Sequence, residues 1–340
     1  MFVLQSGLSN YLTLSRPAEF LLPDSAGTND YYRWLKIRIL VCLLVSVMQA
    51  LAGLEKYPEL IKADPVPVVS VPREGVRITY LGTNAYLFES RDATVLIDPY
   101  FSRQSLFRTA LELTPIAETD LVAQWTHEHP KIDAVLVTHG HIDHLFDVPP
   151  IVRATGAKLI ASAASVGMAE AAGVPRMQTR SVRIGETVSA RNAVIHVLPA
   201  THDRIFGVTP FNGPVRHLPP RKIGDWVTGE PLAFLIEMGG KRIFINSGGR
   251  GDKALSLHSA PVDLAIVGVA TPDAIGAFSS TIAQLRPRYV LPSHQDDFFR
   301  PLRNGFVFLP LTDFPAVRRA AAATPAKLIL LDYFRPWTLR

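Results

Sequence analysis

Ala134-Val135-Leu136-Val137-Thr138-His139-Gly140-His141-Ile142-Asp143-His144 decides how the rest of this 340-residue chain is read. Ala134–Val137 is a short apolar run of the kind that forms a buried strand. The chain then places three histidines and one aspartate within six residues, His139 to His144. Imidazole nitrogens and carboxylate oxygens are ligands for zinc, iron and manganese. A single strand or helix cannot aim all four side chains at one point, because its side chains diverge by period. A loop leaving a strand end can: His139 and His141 share a direction, and the turn brings Asp143 and His144 round to them. A lone histidine is more often a surface or satisfied core residue, but a cluster this dense has few structural uses.

Working outward, Val76–Tyr80, Ala85–Glu89 and Thr94–Asp98 are short β-rich runs. Gly82-Thr83-Asn84 and Ser90-Arg91-Asp92 separate them, which predicts an antiparallel meander. Leu121–Trp125 reads as helical, and a helix is expected from Val148. Lys158–Ala161 reads as a strand, and Ala163–Ala172 as an alanine-rich helix closed by Gly173 and Pro175. Val182–Ile184 and Ala193–Leu198 are expected strands. Leu232–Met238 and Arg242–Asn246 flank Gly239-Gly240, a hairpin signal. Leu264–Val267, a helix around Ile282, and Tyr289–Leu291 alternate as strand, helix, strand, and Lys327–Leu331 reads as the final strand. Both halves thus run through strands into a strand-and-helix alternation. The expected fold is α/β: a four-layer αββα sandwich of two mixed β-sheets flanked by helices.

Two further histidines stand in matching contexts. His202 follows the strand Ala193–Leu198 and His294 follows Tyr289–Leu291, each shortly after a proline. Three strand ends meeting at one sheet edge would assemble a single metal site.

At this point the chain resembles the metallo-β-lactamase superfamily, whose H-x-H-x-D-H signature His139-Gly140-His141-Ile142-Asp143-His144 matches. The resemblance runs from about Val76 to Leu331. Tyr80-Leu81-Gly82-Thr83-Asn84-Ala85 with Ile97-Asp98-Pro99-Tyr100 is similar to the branch of the ascorbate-phosphate lactonase and the phospholipase-D-like enzymes acting on N-acylphosphatidylethanolamine. The resemblance implies one metal on His139, His141 and His202, and a second on Asp143, His144 and His294. It makes Asp98 a group that orients a ligand histidine; read from the residues alone, Asp98 is equally a turn former before Pro99. The family's bridging carboxylate, in a Gly-Asp-Thr-like turn, is replaced by Asn246-Ser247-Gly248-Gly249. Asp252 is too far along to serve, and Asn246 or Ser247 would ligate weakly. One or two divalent ions are therefore expected, zinc first, with manganese and iron as alternatives.

A bound dication lowers the pKa of water from 15.7 to near 7. The expected activity is therefore metal-dependent hydrolysis of an ester, lactone or phosphodiester, including a phospholipid, by a metal-activated water. Asp143 is expected to take part in proton transfer as well as ligation. His127 and His129 read as a surface loop, with a role in leaving-group chemistry as the alternative. Residues 203–230 carry Phe206, Phe211 and Trp226 beside Arg204, Arg216, Arg221 and Lys222, either as a pocket wall for an amphipathic anionic substrate or as a solvated loop. Leu106, Phe107, Leu111 and Leu113 are a second wall or core. The competing classes are a nucleic-acid-processing nuclease and a non-catalytic binding protein on a decayed site.

Composition bounds these readings. The net charge of +5 mildly favours anionic partners, but no Lys/Arg tract is present, so no nucleic acid partner is expected. The single cysteine, Cys42, rules out an internal disulfide framework. Arg33, Lys36 and Arg38 precede the apolar run Ile39–Met48, and Ala50-Leu51-Ala52 offers small residues at cleavage-site spacing. Residues 1–52 are expected to be a signal peptide or a membrane anchor, giving an exported (periplasmic or extracellular) or membrane-anchored protein rather than a cytoplasmic one. Residues 53–75, with four prolines, read as an extended linker, and residues 76–340 as the hydrolase domain.

Overall fold

The strand expected before the histidine cluster is β4 (Ala134–Leu136), and all three of its residues are buried. The computed structural model describes residues 53–65, 72–205, 207–247 and 261–340. The expected signal or anchor segment lies outside them, as do Gly248, Gly249, Asp252 and Phe206. Among the described residues no helix is long and apolar enough to cross a membrane.

β1 (Val76–Gly82), β2 (Ala85–Glu89) and β3 (Thr94–Ile97) form the expected antiparallel meander. β3, β4, β5 (Lys158–Ala161) and β6 (Thr179–Ser181) then run parallel. β14 (Trp337–Leu339) pairs with β1, so the first sheet is β14-β1-β2-β3-β4-β5-β6. The second sheet contains β7 (Thr187–Ala190), β8 (Ala193–Pro199), β9 (Leu232–Met238), β10 (Lys241–Asn246), β11 (Leu264–Gly268), β12 (Tyr289–Ser293) and β13 (Lys327–Leu328). Its order is β13-β12-β11-β10-β9-β8-β7. Among the described residues each sheet has seven strands and mixes parallel with antiparallel pairs, as expected.

The helices cover the sheets in two groups. α1 (Leu106–Ala110), α2 (Thr119–Glu128), α3 (Ile142–Leu145), α4 (Val148–Thr155) and α5 (Ala163–Ala171) belong to the first half; α6 (Ala274–Leu285) and α7 (Phe314–Ala322) belong to the second. α2 packs on α4, α4 on α5, and α5 on β5 and β6; α6 packs on β11 and α7. Parallel strands covered on both faces need apolar residues throughout. β4 and β11 accordingly are buried end to end, whereas β1 alternates buried and half-buried residues over its first four positions.

The strand directions place the site. β1 and β3 are both antiparallel to β2, and β4 is parallel to β3, so β1, β3 and β4 end at the same edge. In the second sheet β8, β10, β11 and β12 likewise point one way. The residues leaving these ends include Thr83, Asp98, His139, Ser247 and His294.

Three expectations need correction. The strand expected at Val182–Ile184 lies earlier, as β6, and β7 follows separately; both are sheet-edge strands with exposed residues, so their apolar signal is thin. Lys327–Leu331 is not the last strand: only Lys327–Leu328 joins the ladder, and β14 closes the sheet. Residues 53–64 are not an extended linker. Leu54 is buried, Tyr57 lies edge-on to Phe308 and tilted on Phe314, and Ile61 bridges to Leu330. Here Pro58 opens a 3-10 turn packed on the domain instead of extending the chain.

Candidate metal centre

His139, His141 and His202 bring one ligand atom each within 4.8 Å of one another, and so do Asp143, His144 and His294. The six residues fall into two triads that draw on the ends of β4, β8 and β12. The motif residues reach both triads because the chain turns at once into α3: His141 is its N-cap, in extended conformation, and Asp143 and His144 lie in its first turn. Gly140 is required by a close approach. A Cβ there would stand 2.4 Å from the carbonyl oxygen of Val227 and 2.4 Å from Met168 Cε. The Gly140 amide instead donates to Thr228 O at 3.0 Å.

The hydrogen bonds around His139, His141 and His202 assign their tautomers, and each leaves one nitrogen turned inward. His141 Nε2 donates to Pro210 O at 3.0 Å and to Thr228 Oγ1 at 2.8 Å, leaving Nδ1. His202 Nδ1 donates to Asp203 O at 2.7 Å, leaving Nε2. His139 Nδ1 donates to Thr138 Oγ1 at 3.1 Å, and its Nε2 then faces His141 Nδ1 at 3.0 Å. Two ring nitrogens that close, both stripped of protons, need a shared positive partner. His144 Nδ1 donates to Asp98 Oδ2 at 2.8 Å, and its buried Nε2 has no hydrogen-bond partner among the described residues. That nitrogen lies 3.3 Å from Asp143 Oδ2, which is also 3.1 Å from His294 Nε2.

Asp98 therefore fixes the His144 ring, the contact that the orienting role expected of it would need. Its Oδ1 accepts from Thr138 N at 2.8 Å, and its Oδ2 also accepts from Thr138 Oγ1 at 2.5 Å and Asn84 Nδ2 at 2.8 Å. A carboxylate that fixes the far nitrogen of a ligand imidazole sets the ring's orientation and raises its basicity.

Electrostatics separates the triads. Burial, then the neighbouring imidazoles, hold His139 and His141 well below the ordinary histidine range. Burial pushes His202 down to about 4. These rings are neutral, the form that ligates. His144 is opposite: burial opposes its charge, yet Asp143 and Asp98 push it up to about 10. Burial likewise opposes the Asp143 charge, but His144 and His294 hold its carboxyl well below the usual range. A buried carboxylate and a half-buried one around one imidazole make a place that demands positive charge. Converging neutral nitrogens on one side and charge-hungry carboxylates on the other fit divalent ions.

Three residues at this edge hold left-handed backbone without being glycine: Thr83 at φ +57°, Asp98 at +42° and His294 at +58°. Such positions each cost on the order of 1–3 kcal/mol and persist only where neighbours over-determine them. Their concentration at the strand ends marks the edge as built for a site.

The other expected residues divide. His129 stacks on Trp125 at the end of α2 and His127 is exposed, so neither joins the site. Phe107 and Leu111 are 63% and 55% exposed, so they are not core. Phe211 meets His141 edge-on at 6.0 Å, and Trp226 is buried against Phe146. Arg204, Arg216, Arg221 and Lys222 are exposed. The 203–230 loop thus walls the first triad with Pro210, Phe211 and Thr228 while its cations face outward. Asn246 Oδ1 accepts from Gly268 N at 3.3 Å, and Ser247 Oγ is buried without a hydrogen-bond partner among the described residues. Thr228, Pro210 and Asn84 are the contacts that sequence patterns missed.

The profile of the beta-lactamase superfamily domain matches residues 77–294. The chain belongs to this superfamily. Among similar proteins, a UPF0173 metal-dependent hydrolase of Carboxydothermus hydrogenoformans is 28% identical over 228 residues, spanning 64% of this chain and 84% of that protein. A protein of the same description from Pyrobaculum calidifontis is 26% identical over 259 residues, 75% of this chain and 96% of that one. Among solved structures, Igni18, a metallo hydrolase from the hyperthermophilic archaeon Ignicoccus hospitalis, superposes with a TM-score of 0.54 at 20% identity, covering 78% of this chain and 98% of that chain. At that identity the likeness speaks for the fold.

Proposed function

We infer that this chain is a metal-dependent hydrolase, and we propose an ester, lactone or phosphodiester as its substrate. The observation that carries the reading is the pair of triads, each with its ligand atoms within 4.8 Å. Membership of the superfamily and relatives described as metal-dependent hydrolases support it. His139, His141 and His202 would hold one ion and Asp143, His144 and His294 the other. Zinc is the proposed metal, on the strength of the histidine-rich donor set. When bound, such ions supply an activated water nucleophile at neutral pH and polarise the scissile oxygen.

The chain's own residues do the rest. Thr228 and Pro210 lock His141 with Nδ1 inward, and Asp98 locks His144 with Nε2 inward. Asp143 is kept ionised with Oδ2 against both His144 and His294. As an ionised carboxylate it can accept a hydrogen bond from the attacking water, the part in proton transfer proposed for it. Phe211 and Pro210 offer an apolar wall beside the first triad, and the exposed Arg204, Arg216, Arg221 and Lys222 favour an anionic substrate approaching that side. The apolar run at 39–48 supports a setting outside the cytoplasm or at a membrane.

The test is a hydrolysis screen of the zinc- and manganese-loaded protein against lactones, phosphodiesters, phospholipids and β-lactams, with bound metal counted by mass spectrometry. Turnover of one class with bound metal is expected. Protein that takes up no metal and turns over none of them sinks the reading.

A further inference from the structure

Asn84 lies in the turn between β1 and β2 and is fully buried. Its amide spans the two sheets. Nδ2 donates to Asp98 Oδ2 at 2.8 Å, and Oδ1 accepts from Ser293 Oγ at 2.6 Å. Asp98 is the carboxylate that orients His144, and Ser293 is the residue before His294. One side chain therefore joins the carboxylate that holds the His144 ring to the residue preceding His294, across the two sheets.

The rest of the turn acts on the same partners. His294 N donates to Thr83 O at 2.8 Å. Thr83 N donates to Asp296 Oδ1 at 2.9 Å, as Tyr80 OH does at 2.7 Å. Arg103 Nη2 at 2.6 Å and Tyr333 OH at 2.5 Å saturate Asp296 Oδ2. The guanidinium fits because residue 82 is glycine; a Cβ there would lie 2.0 Å from Arg103 Nη2. His141 and His202 take no part in this network and are oriented by Pro210, Thr228 and Asp203. His139 touches it only through Thr138.

We propose that Asn84 is the positioning residue of the second metal position, setting the separation of His144 and His294 across the gap between the sheets. In dinuclear sites of this superfamily a bridging carboxylate helps hold the ions together; here Ser247 stands in that region, and a rigid amide strut between the ligands' supports takes over part of that task. The inference rests on the proposed metal sites.

Zinc titration of the full-length protein against a chromophoric chelator tests it, with cobalt absorption as a second readout. Asn84→Ala is expected to leave the tighter association constant within about twofold and weaken the second about 10–100-fold, the usual effect of removing a group that orients ligands. Ser293→Ala keeps the Asn84–Asp98 contact but removes the Asn84–Ser293 bond together with those of Ser293 to Thr83 O and Tyr86 OH; it is expected to weaken the second ion about threefold to tenfold and carries the test if Asn84→Ala does not fold. The cobalt band of the second site should shift while that of the first holds. Constants that stay unchanged, or that fall together with the melting temperature, overturn the proposal, because either result is what a purely structural residue gives. A wild type that binds one ion also overturns it; turnover by that one-ion protein would leave the hydrolase reading standing.

Discussion

The two triads sit side by side yet are built on different principles. His139, His141 and His202 form an all-imidazole set that burial keeps neutral, and two of the three take their orientation from loop backbone at Pro210 and Asp203. Asp143, His144 and His294 form a charged set, in which His144 stands between two carboxylates and the supports run through strand ends and a buried network. The difference teaches where affinity and adaptability reside. A neutral triad presents lone pairs with no proton to displace, whereas the carboxylates of the charged triad hold a proton on His144 that an ion must displace. A charged triad attracts a cation by field and holds it by rigid surroundings.

That contrast can be broken first at His141. His141→Ala should lower turnover at least about a thousandfold, ~4 kcal/mol of barrier, while the circular dichroism of the fold holds. Full activity in that variant refutes the metal mechanism for both triads at once. Asp98→Asn strikes the other side: the His144 Nδ1–H is left with at most a neutral carbonyl in place of a carboxylate, and second-ion affinity should drop about 10–100-fold in calorimetric titration. Equal weakening of both ions would show that the triads are one coupled unit, since Thr138 ties His139 to the same carboxylate. Ser247→Asp sharpens the comparison in reverse. Adding a carboxylate after β10 should tighten the second ion about tenfold, ~1.4 kcal/mol; no change would mean that position 247 does not reach the ions. The smallest effect is expected from Thr228→Val. It removes one of two acceptors at His141 Nε2 and should weaken the first ion about threefold, with the second unchanged. A large loss there would make Thr228, not Pro210, the anchor of the first triad.

Much of this was legible in the residues, for definite reasons. β4 reads directly because a strand buried on both faces has no polar residues to blur it, and the ligand types of His139–His144 cannot be mistaken once they follow such a strand. His202 and His294 were legible because each follows an apolar strand. What stayed hidden were contacts with no periodic signature. Asn84 reads as turn punctuation, and only the folded chain shows its amide reaching Asp98 and Ser293. Thr228 and Pro210 lie in a stretch without period, where side-chain roles depend on the path of the loop. Leu54 and Tyr57 look like linker because Pro58 and Pro65 follow them, yet burial of Leu54 and packing of Tyr57 on Phe308 and Phe314 override that local signal. The edge strands β6 and β14 are three residues each, too short for an alternation to register.

The loop at Pro210–Thr228 has one more consequence. The carbonyl that walls the first triad is also the acceptor that polarises His141, so the loop's position and the electron-donating strength of that imidazole are one variable. An occupant that pushes the wall outward stretches the bond to Pro210 O and makes the ring a poorer donor. In a cobalt-substituted protein the colour of the first ion should therefore report occupancy by molecules that never touch the metal. A band that stays fixed while a wall-contacting ligand binds would show that loop and ligand field are independent.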